Sequence, residues 1–214
     1  KSFKEASEFK EEIDLDYLNE EIDNAIDDVE DGIKRAVEIA SELKTFSRID
    51  QAGVKEADIH EGLNSTLELM KSDLKQNNIV IEKHYGSIPK IDCLASKLNQ
   101  VFMNTLNNAI YAIKASENKD NGRIEVSTAL SDDSKEIKIA FRDNGSGMDE
   151  TTLRKIFDPF FTTKEVGEGS GLGMSISHGI IEEHGGKFVV ASTIGKGTTI
   201  EVVLPVQTNI VVHD

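Results

Sequence analysis

Three asparagines stand close together in a segment whose apolar residues repeat with a helical period. Asn104 and Asn108 lie four positions apart, which places them on one face of a helix and one turn apart, and Asn107 lies between them. Helix interiors disfavour asparagine because its side chain competes for backbone hydrogen bonds. The amides could be ordinary surface groups, but a carboxamide oxygen is also a neutral, hard ligand that can hold Mg²⁺ beside phosphates.

The loop "DNGSGMD" directly follows a strand pattern. Asn-Gly after a strand is a strong hairpin signal, so a plain turn is one interpretation. A turn needs only one glycine, however, and this loop has Gly145 and Gly147 after Asp143. Two glycines let the backbone approach a flat ligand closely, and the Asp143 carboxylate can accept a hydrogen bond from an amino group.

Four glycines alternate with other residues directly before a predicted helix, in the stretch "GEGSGLGMSIS" at residues 167–177. Backbone N–H groups in such a loop and at the helix N-terminus can bind an anion, and the helix dipole adds to the attraction. A flexible linker is the alternative, but a linker would not continue straight into an apolar helix. Met174 stands where a dinucleotide fingerprint needs Gly or Ala, and Gly195-Lys196 lacks the earlier glycine of a P-loop.

Charge is spread unevenly along the 214 residues. The net charge is −15, and residues 1–33 hold thirteen acidic residues against three lysines, a net of −10, so the other 181 residues carry −5. Nucleic-acid binding needs clustered Lys and Arg, so we expect no nucleic-acid partner and look for an anion site after residue 33.

Other features of the sequence bear on its cellular context. The single cysteine, Cys93, allows no internal disulfide and favours a reducing compartment. No apolar run reaches the roughly 18 residues of a membrane span, and no signal peptide is recognisable. The chain begins at Lys1 without a Met, so we expect a piece of a longer protein.

A long amphipathic helix is predicted from Leu15 to Phe46. Its apolar residues recur at 15, 18, 22, 25 or 26, 29, 33, 36, 40, 43 and 46, with acidic residues between them. The period is nearer 3.5 than 3.6, which gives a narrow apolar seam. Such a seam favours self-association into a bundle over packing on the following domain.

The rest of the chain alternates helical and strand patterns. Asp58 can cap a helix whose apolar face runs from Ile59 to Leu74, a strand is predicted at 78–85, and a long helix at 94–115. The strands "RIEVSTAL" and "EIKIAFRD" form a hairpin, a helix follows at 172–184, and "KFVVAST" and "TTIEVVLP" are two more strands. The pattern predicts an α+β fold, a two-layer sandwich of a mixed, mostly antiparallel sheet with helices on one face.

These motifs, in this order, resemble the ATP-binding domain of sensor histidine kinases, which shares the Bergerat fold with gyrase and the heat-shock chaperone ATPases. "NTLNNAIYA" is similar to the N box, "DNGSGM" to the first glycine box, "IFDPFFTTK" to the F box, "GSGLGMSIS" to the second glycine box and "GKGTTIEVVLP" to the closing strand. The likeness runs from about residue 43 to residue 206. It implies an acidic helical segment at 1–50, similar to part of a dimerisation hairpin that lacks the His helix, and an ATP-binding catalytic domain at 51–214.

The resemblance implies a role for individual side chains. Asp143 would accept a hydrogen bond from the adenine amino group, with Thr198 in support. Asn108 would hold Mg²⁺, and Asn104 and Lys164 would contact phosphate. Substitution of Asn107 should then matter little.

The resemblance also implies apolar walls and a lid. Ala112, Met148 and Ile156 would border the purine, Phe157, Phe160 and Phe161 would seat the lid on the body, and residues 162–170 would be mobile without nucleotide. The residues implied to bind ATP are Asn104, Asn108, Ala112, Asp143, Gly145, Gly147, Met148, Ile156, Phe161, Thr163, Lys164, Gly169, Gly171, Leu172, Gly173 and Thr198.

The sequence departs from a full kinase at the phosphoacceptor. The family carries its phosphoacceptor His on the first hairpin helix, whereas "IASELKTFSR" resembles the end of the second helix and no His precedes His60. His60 is followed by Glu61 but lies after that helix, so its position argues against an acceptor role. His178 and His184 are expected at the surface or at a helix cap. We therefore expect the chain to bind ATP without phosphorylating itself.

The alternatives are an ATP hydrolase, an ATP-binding module without kinase activity and a serine kinase of the anti-sigma type. Hydrolysing relatives carry a Glu at the position of Asn104, and an amide cannot act as that base. The long acidic helix argues against the anti-sigma type. A sensor kinase implies ATP and Mg²⁺, a response-regulator receiver domain as partner and a homodimer through the hairpin. It also implies no direct membrane contact in this chain and a cytoplasmic location, with a parent that could be anchored in the inner membrane.

Overall fold

The computed structural model describes residues 17–30, 32–33, 53–117, 119–165 and 169–207. Residues 17–30 and 32–33 are helical and exposed, including their large apolar residues Tyr17, Leu18, Ile22, Ile26, Val29 and Ile33. The rest of the helix predicted from Leu15 to Phe46 lies outside the described residues. None of the described helices is long and apolar enough to cross a bilayer.

Helices and strands alternate between residues 55 and 205. In chain order they are β1 (Lys55–Ala57), α1 (Ile59–Leu69), α2 (Lys71–Gln76), β2 (Val80–Tyr85), β3 (Ile91–Cys93), α3 (Ala95–Lys114), a 3₁₀ turn (Lys119–Asn121), β4 (Arg123–Leu130), β5 (Glu136–Asp143), α4 (Glu150–Lys155), α5 (Gly173–Glu183), β6 (Lys187–Thr193) and β7 (Gly197–Pro205).

Five strands form the main sheet, in the order β2-β4-β5-β7-β6. β2 runs parallel to β4, and the other neighbouring strands are antiparallel. β1 and β3 form a separate antiparallel pair. The mixed, mostly antiparallel sheet predicted from the sequence is confirmed.

Alternation along β5 separates the two faces of the sheet. Ile139 and Phe141 are buried, whereas Lys138 is not. α3 covers the buried face, where the rings of Phe102 and Phe141 lie 6.0 Å apart. The same alternation places Asp143, the last residue of β5, on the buried face, so a carboxylate stands at the edge of the core.

The observed helices differ from the predicted ones in two places: the short helix α4 was not predicted, and one predicted helix is broken into two. α3 matches the predicted span to within one residue at each end, with Leu94 and Ala115 as its caps. The single helix predicted from Ile59 to Leu74 is broken at Met70 into α1 and α2. Met70 stays buried, so both helices still pack an apolar face on the core. Periodicity does not reveal β1 and β3, because three residues are too few to show alternation.

His184 caps the C-terminal end of α5 and is fully buried, so its expected capping position is observed and a surface position is wrong. Its Nε2 accepts a hydrogen bond from the Leu94 N–H at 3.0 Å, and its Nδ1–H donates to the Ile180 carbonyl at 2.7 Å. Because Nε2 is the acceptor, the ring is neutral. Burial lowers the pKa of His184, against smaller raising effects of the Ile180 carbonyl and the Glu183 carboxylate.

We expect the free energy of unfolding to fall as the pH drops below about 6.5, the ordinary pKa of histidine. Below that pH the unfolded chain binds a proton at His184 that the folded chain excludes, so protonation favours unfolding until the pH reaches the depressed folded pKa. Above it the group is neutral in both states and adds no pH dependence. Urea unfolding between about pH 8 and about pH 5 measures this effect.

Other groups titrate in the same range, so the informative quantity is a difference between variants. His184→Gln should show a shallower loss of stability toward acid than the wild type, because its side chain does not titrate. Asn64→Ala provides the control, because it changes an exposed side chain that does not titrate, and it should keep the wild-type slope. Equal slopes for the wild type and His184→Gln would contradict the assignment.

Cys93, the only cysteine, ends β3 and is buried. Burial raises the pKa of its thiol to about 11, and the neighbouring Asp92 carboxylate adds to the increase. At neutral pH the sulfur is therefore a protonated thiol inside the core.

Candidate functional site

A cavity of about 470 Å³ lies between α3, the loop after β5, α4, the segment at 161–164 and the start of α5. This is the size of a typical small-molecule site. Fourteen of the sixteen residues implied by the resemblance line it: Asn104, Asn108, Ala112, Asp143, Gly147, Met148, Ile156, Phe161, Thr163, Lys164, Gly169, Gly171, Gly173 and Thr198. Motifs that are far apart in the sequence therefore surround one space.

Gly145 and Leu172 do not line the cavity. Gly145 lies against α3, where a Cβ would fall 2.6 Å from the carbonyl carbon of Ala112. Leu172 is the N-cap residue of α5, and its N–H donates a hydrogen bond to Ser170 Oγ at 3.2 Å. Both residues support the walls of the cavity and do not face its interior.

The carboxamide of Asn108 faces the cavity from α3. The side chain is half-buried and forms no hydrogen bond with another described residue. Its oxygen is therefore available to a ligand, which is what a neutral metal ligand requires. Asn107 also lines the cavity and is exposed. A substitution of Asn107 is therefore a poorer control for a substitution of Asn108 than the sequence suggests.

The amide of Asn104 is engaged with α5. Its Nδ2 donates hydrogen bonds to the Gly173 carbonyl at 2.9 Å and to Ser177 Oγ at 3.1 Å. Ser177 is buried and donates its own hydroxyl hydrogen to the Gly173 carbonyl at 2.7 Å. Asn104 therefore fixes the first turn of α5 to α3. The amide hydrogens that would donate to phosphate, as the resemblance implies, are used inside the protein.

Asp143 presents a buried carboxylate to the cavity and is only 8% exposed. Its Oδ1 accepts hydrogen bonds from the N–H groups of Gly145 at 2.8 Å and Thr198 at 3.3 Å. Oδ2 has no hydrogen-bond partner among the described residues. Burial raises the pKa of Asp143, and the two N–H donors oppose this increase. A third donor, at Oδ2, would compensate the desolvated carboxylate further, so the site suits an amino group.

Two glycines of the loops adopt backbone conformations that other residues rarely reach. Gly147 has a φ of +66°, and a Cβ there would overlap the Thr193 carbonyl oxygen. Gly171 has a φ of +71°, and a Cβ there would overlap the backbone of Phe160. The sequence predicts close backbone approach at the first loop. The structure shows that the approach is to a neighbouring loop of the protein.

The three phenylalanines of the F box have different surroundings. Phe157 packs on His178 and Phe188, with ring centroids 4.9 Å and 5.1 Å away. Phe161 lines the cavity. Phe160 is 67% exposed with a φ of +66°, so the expectation that it seats a lid on the body is wrong. Residues 166–168 of the predicted lid lie outside the described residues.

Sequence reasoning missed Tyr111, whose ring lies at the cavity wall. The Nζ of Lys164 lies 4.8 Å from the centroid of this ring. Tyr111 follows Asn108 by three positions on α3, and that helical spacing alone places both on one face. The signal was therefore present in the sequence.

His60 lies away from the cavity and does not line it. Its Nε2 is 2.8 Å from Thr128 Oγ1, and its ring stacks on Tyr85 at 4.5 Å. Its backbone N–H donates to the Asp58 side chain, which caps α1 as predicted. The ring of His60 thus joins α1 to the sheet, which fits a structural role.

One other described group of side chains could hold a metal ion. Glu82, His84 and Glu125 have ligand atoms within 4.8 Å of one another. Arg123 Nη1 lies 3.3 Å from Glu82 Oε1, so a cation already neutralises one carboxylate. Nothing beyond their proximity marks these residues as a site.

The sequence is similar to a known protein family and to several characterised proteins. Residues 93–208 match the family described as histidine kinase-, DNA gyrase B- and HSP90-like ATPase. Sporulation kinase E of Bacillus subtilis is 34% identical over 178 residues, which are 83% of this chain and 23% of that protein. The sensor histidine kinase ZraS of Escherichia coli K12 is 34% identical over 79% of this chain and 35% of its own length. The chain thus spans a minor part of both relatives.

Solved structures show the same similarity. The catalytic domain of histidine kinase ThkA is 26% identical, with a TM-score of 0.61 over 72% of this chain and 98% of that domain. Full-length ShkA in complex with AMPPNP is 22% identical, with a TM-score of 0.67 over 83% of this chain and 37% of that protein, and this likeness concerns the fold.

Proposed function

Because this chain belongs to the family of histidine kinase-, DNA gyrase B- and HSP90-like ATPases, we propose that it acts as the catalytic domain of a two-component sensor histidine kinase. In this proposal it binds ATP with Mg²⁺ in the cavity beside α3. It then presents the γ-phosphoryl group to a histidine of a helical hairpin, from which the group passes to an aspartate of a response regulator.

One observation carries this proposal: two side-chain groups that have no hydrogen-bond partner in the described part of the chain face a single cavity, and each suits a different part of ATP. The free Oδ2 of Asp143 can only accept a hydrogen bond, which suits the exocyclic amine of adenine. The free oxygen of Asn108 suits Mg²⁺ shared with phosphates, because a neutral ligand adds no negative charge there. Ala112, Met148 and Ile156 line the same cavity and offer apolar contact to a purine.

The contribution of the chain to phosphoryl transfer is mainly positioning. Mg²⁺, when bound, would neutralise charge on the phosphates. Asp143 fixes the base, and Asn104 holds the first turn of α5 so that its N-terminal backbone, at Gly171 and Gly173, borders the cavity. Free N–H groups at a helix N-terminus attract anions, which suits a triphosphate.

The chemistry and hydrogen bonds of Asn104 favour transfer of the phosphoryl group to a side chain over hydrolysis of ATP. An amide cannot take a proton from water, and its Nδ2 is bonded to Gly173 and Ser177. Hydrolysis by this chain should therefore be slow.

The partners follow from the same proposal. The exposed apolar residues of the helical residues 17–30 and 32–33 would pair with a second copy in a homodimer. A structure of ThkA contains a response regulator, TrrA, and for this chain we propose a receiver domain of that class as partner. The location would be cytoplasmic.

The base-recognition part of the proposal predicts that ATP binds more tightly than GTP, by about five- to 140-fold. The Asp143 carboxylate would face the carbonyl of guanine without a hydrogen bond, and an unpaired buried acceptor costs about 1–3 kcal/mol. Isothermal titration calorimetry with both nucleotides in Mg²⁺ measures the ratio.

Asp143→Asn tests the same contact in the chain. Asparagine keeps an oxygen for the N–H groups of Gly145 and Thr198 but places an NH₂ group where Oδ2 stands. ATP affinity should fall about tenfold and the preference over GTP should shrink. Asp133→Asn, at an exposed turn, is the control. Equal binding of ATP and GTP by the wild type, or an unchanged ratio in Asp143→Asn, would refute base recognition by Asp143.

A further inference from the structure

The cavity contains a marked shortage of positive charge for a site that would hold a triphosphate. Of the described residues that line it, Lys164 is the only Lys or Arg. Residues 34–214, which include the cavity, carry a net charge of −5, so their field also opposes an anionic ligand. Phosphate binding should therefore depend strongly on where this one ammonium group lies.

The Lys164 side chain contacts Gly169 with its stem and the Tyr111 ring with its ammonium group. Its stem passes Gly169, where a Cβ would lie 2.9 Å from the lysine Cδ, so a larger residue would displace the stem. Its Nζ lies 4.8 Å from the centre of the Tyr111 ring. An ammonium group within about 6 Å of an aromatic ring centroid is attracted by the negative face of the ring. Tyr111 stands on α3, so the ring is attached to a packed helix.

We propose that Tyr111 is a positioning residue of the nucleotide site, whose ring holds the Lys164 ammonium at the cavity wall for the phosphates of bound ATP. This inference rests on the proposed function. A free lysine has four rotatable bonds and loses rotamer freedom when it binds an anion. A lysine whose stem and ammonium group are already placed beside a ring loses less of that freedom when it binds.

The ring acts through Lys164, so its removal should affect ligands with phosphates and spare those without. Tyr111→Leu should weaken ATP binding about two- to fivefold, the equivalent of ~0.5–1 kcal/mol for a cation–π contact at an exposed site. Adenosine, which has no phosphate, should bind Tyr111→Leu and the wild type equally. Tyr111→Phe keeps the ring face and should restore ATP affinity to within about twofold.

A double-mutant cycle separates positioning from packing. In the Lys164→Met background, Tyr111→Leu should lose most of its effect on ATP affinity, because the group that the ring positions is gone. Calorimetry in Mg²⁺ gives the ATP affinities, and one-dimensional NMR titration gives those for adenosine.

The other outcomes each overturn the inference. Equal or tighter ATP binding by Tyr111→Leu would mean that the contact between the ring and Lys164 does not promote ATP binding. A parallel loss of adenosine binding, or additivity with Lys164→Met, would assign Tyr111 to packing. Failure of Tyr111→Phe to restore affinity would assign the effect to the hydroxyl group. Absence of ATP binding by the wild type itself would instead refute the proposed function.

Discussion

Replacement of Asn108 by alanine should lower the affinity for ATP in the presence of Mg²⁺ roughly 100-fold or more. The carboxamide faces the cavity and has no hydrogen-bond partner among the described residues, so it can serve as a metal ligand. Loss of even an outer-shell partner of a metal ligand costs roughly 10–100-fold, and loss of the ligand itself should cost at least as much. Isothermal titration calorimetry with ATP in excess Mg²⁺ measures the change.

The assignment to the metal can be separated from a general defect. With EDTA in place of Mg²⁺, the affinities of the wild type and Asn108→Ala should converge, because the contact to be lost is with the ion. Asn64→Ala is the matched control, since Asn64 is an exposed helical asparagine whose Oδ1 bonds Lys83 Nζ outside the cavity. Equal affinities of wild type and Asn108→Ala in Mg²⁺ would refute the assignment.

This chain should also bind ATP without becoming phosphorylated. No histidine precedes His60 in the sequence. The two most enclosed described histidines are engaged: His60 Nε2 is close to Thr128 Oγ1, and His184 is buried. Incubation with γ-labelled ATP should therefore leave no alkali-stable, acid-labile label on the chain.

A helical hairpin that carries the phosphoacceptor histidine, added as a separate polypeptide, should accept label. The rate should be low, because two separate chains lack the effective concentration that tethering provides. The Asn108→Ala variant should abolish this transfer too, which links it to the nucleotide site. Robust alkali-stable label on the isolated chain would overturn the prediction and make His60 a candidate again.

Much of the fold was readable from the sequence because its signals are long and periodic. The apolar repeat of α3 spans about five turns, and the alternating apolar residues of β5 identify it as a strand, which the structure confirms. β1, β3 and the break at Met70 escaped, since each involves too few residues to generate a periodic signal.

The site shows a similar division. Asn108, Asp143 and Lys164 line one cavity, as their residue types and their order in the sequence predict. The residues that site side chains contact on distant elements could not be predicted from the sequence, because these contacts depend on how the elements pack. The bonds of Asn104 to Gly173 and Ser177 and the contact of Lys164 with Tyr111 are of this kind. The exposure of Phe160 also depends on a backbone angle that its residue type does not predict.

The burial of Cys93 has a practical consequence for spectroscopy. With a thiol pKa of about 11, only about one molecule in ten thousand carries the reactive thiolate at pH 7, and the core shields it as well. A cysteine introduced at exposed Glu150, at the start of α4, would therefore react with a maleimide dye in preference to the native one. Because the chain also has no tryptophan, a single tryptophan placed near the cavity would fluoresce without background. Together they would form a donor–acceptor pair for following the region around the F box in the otherwise native protein.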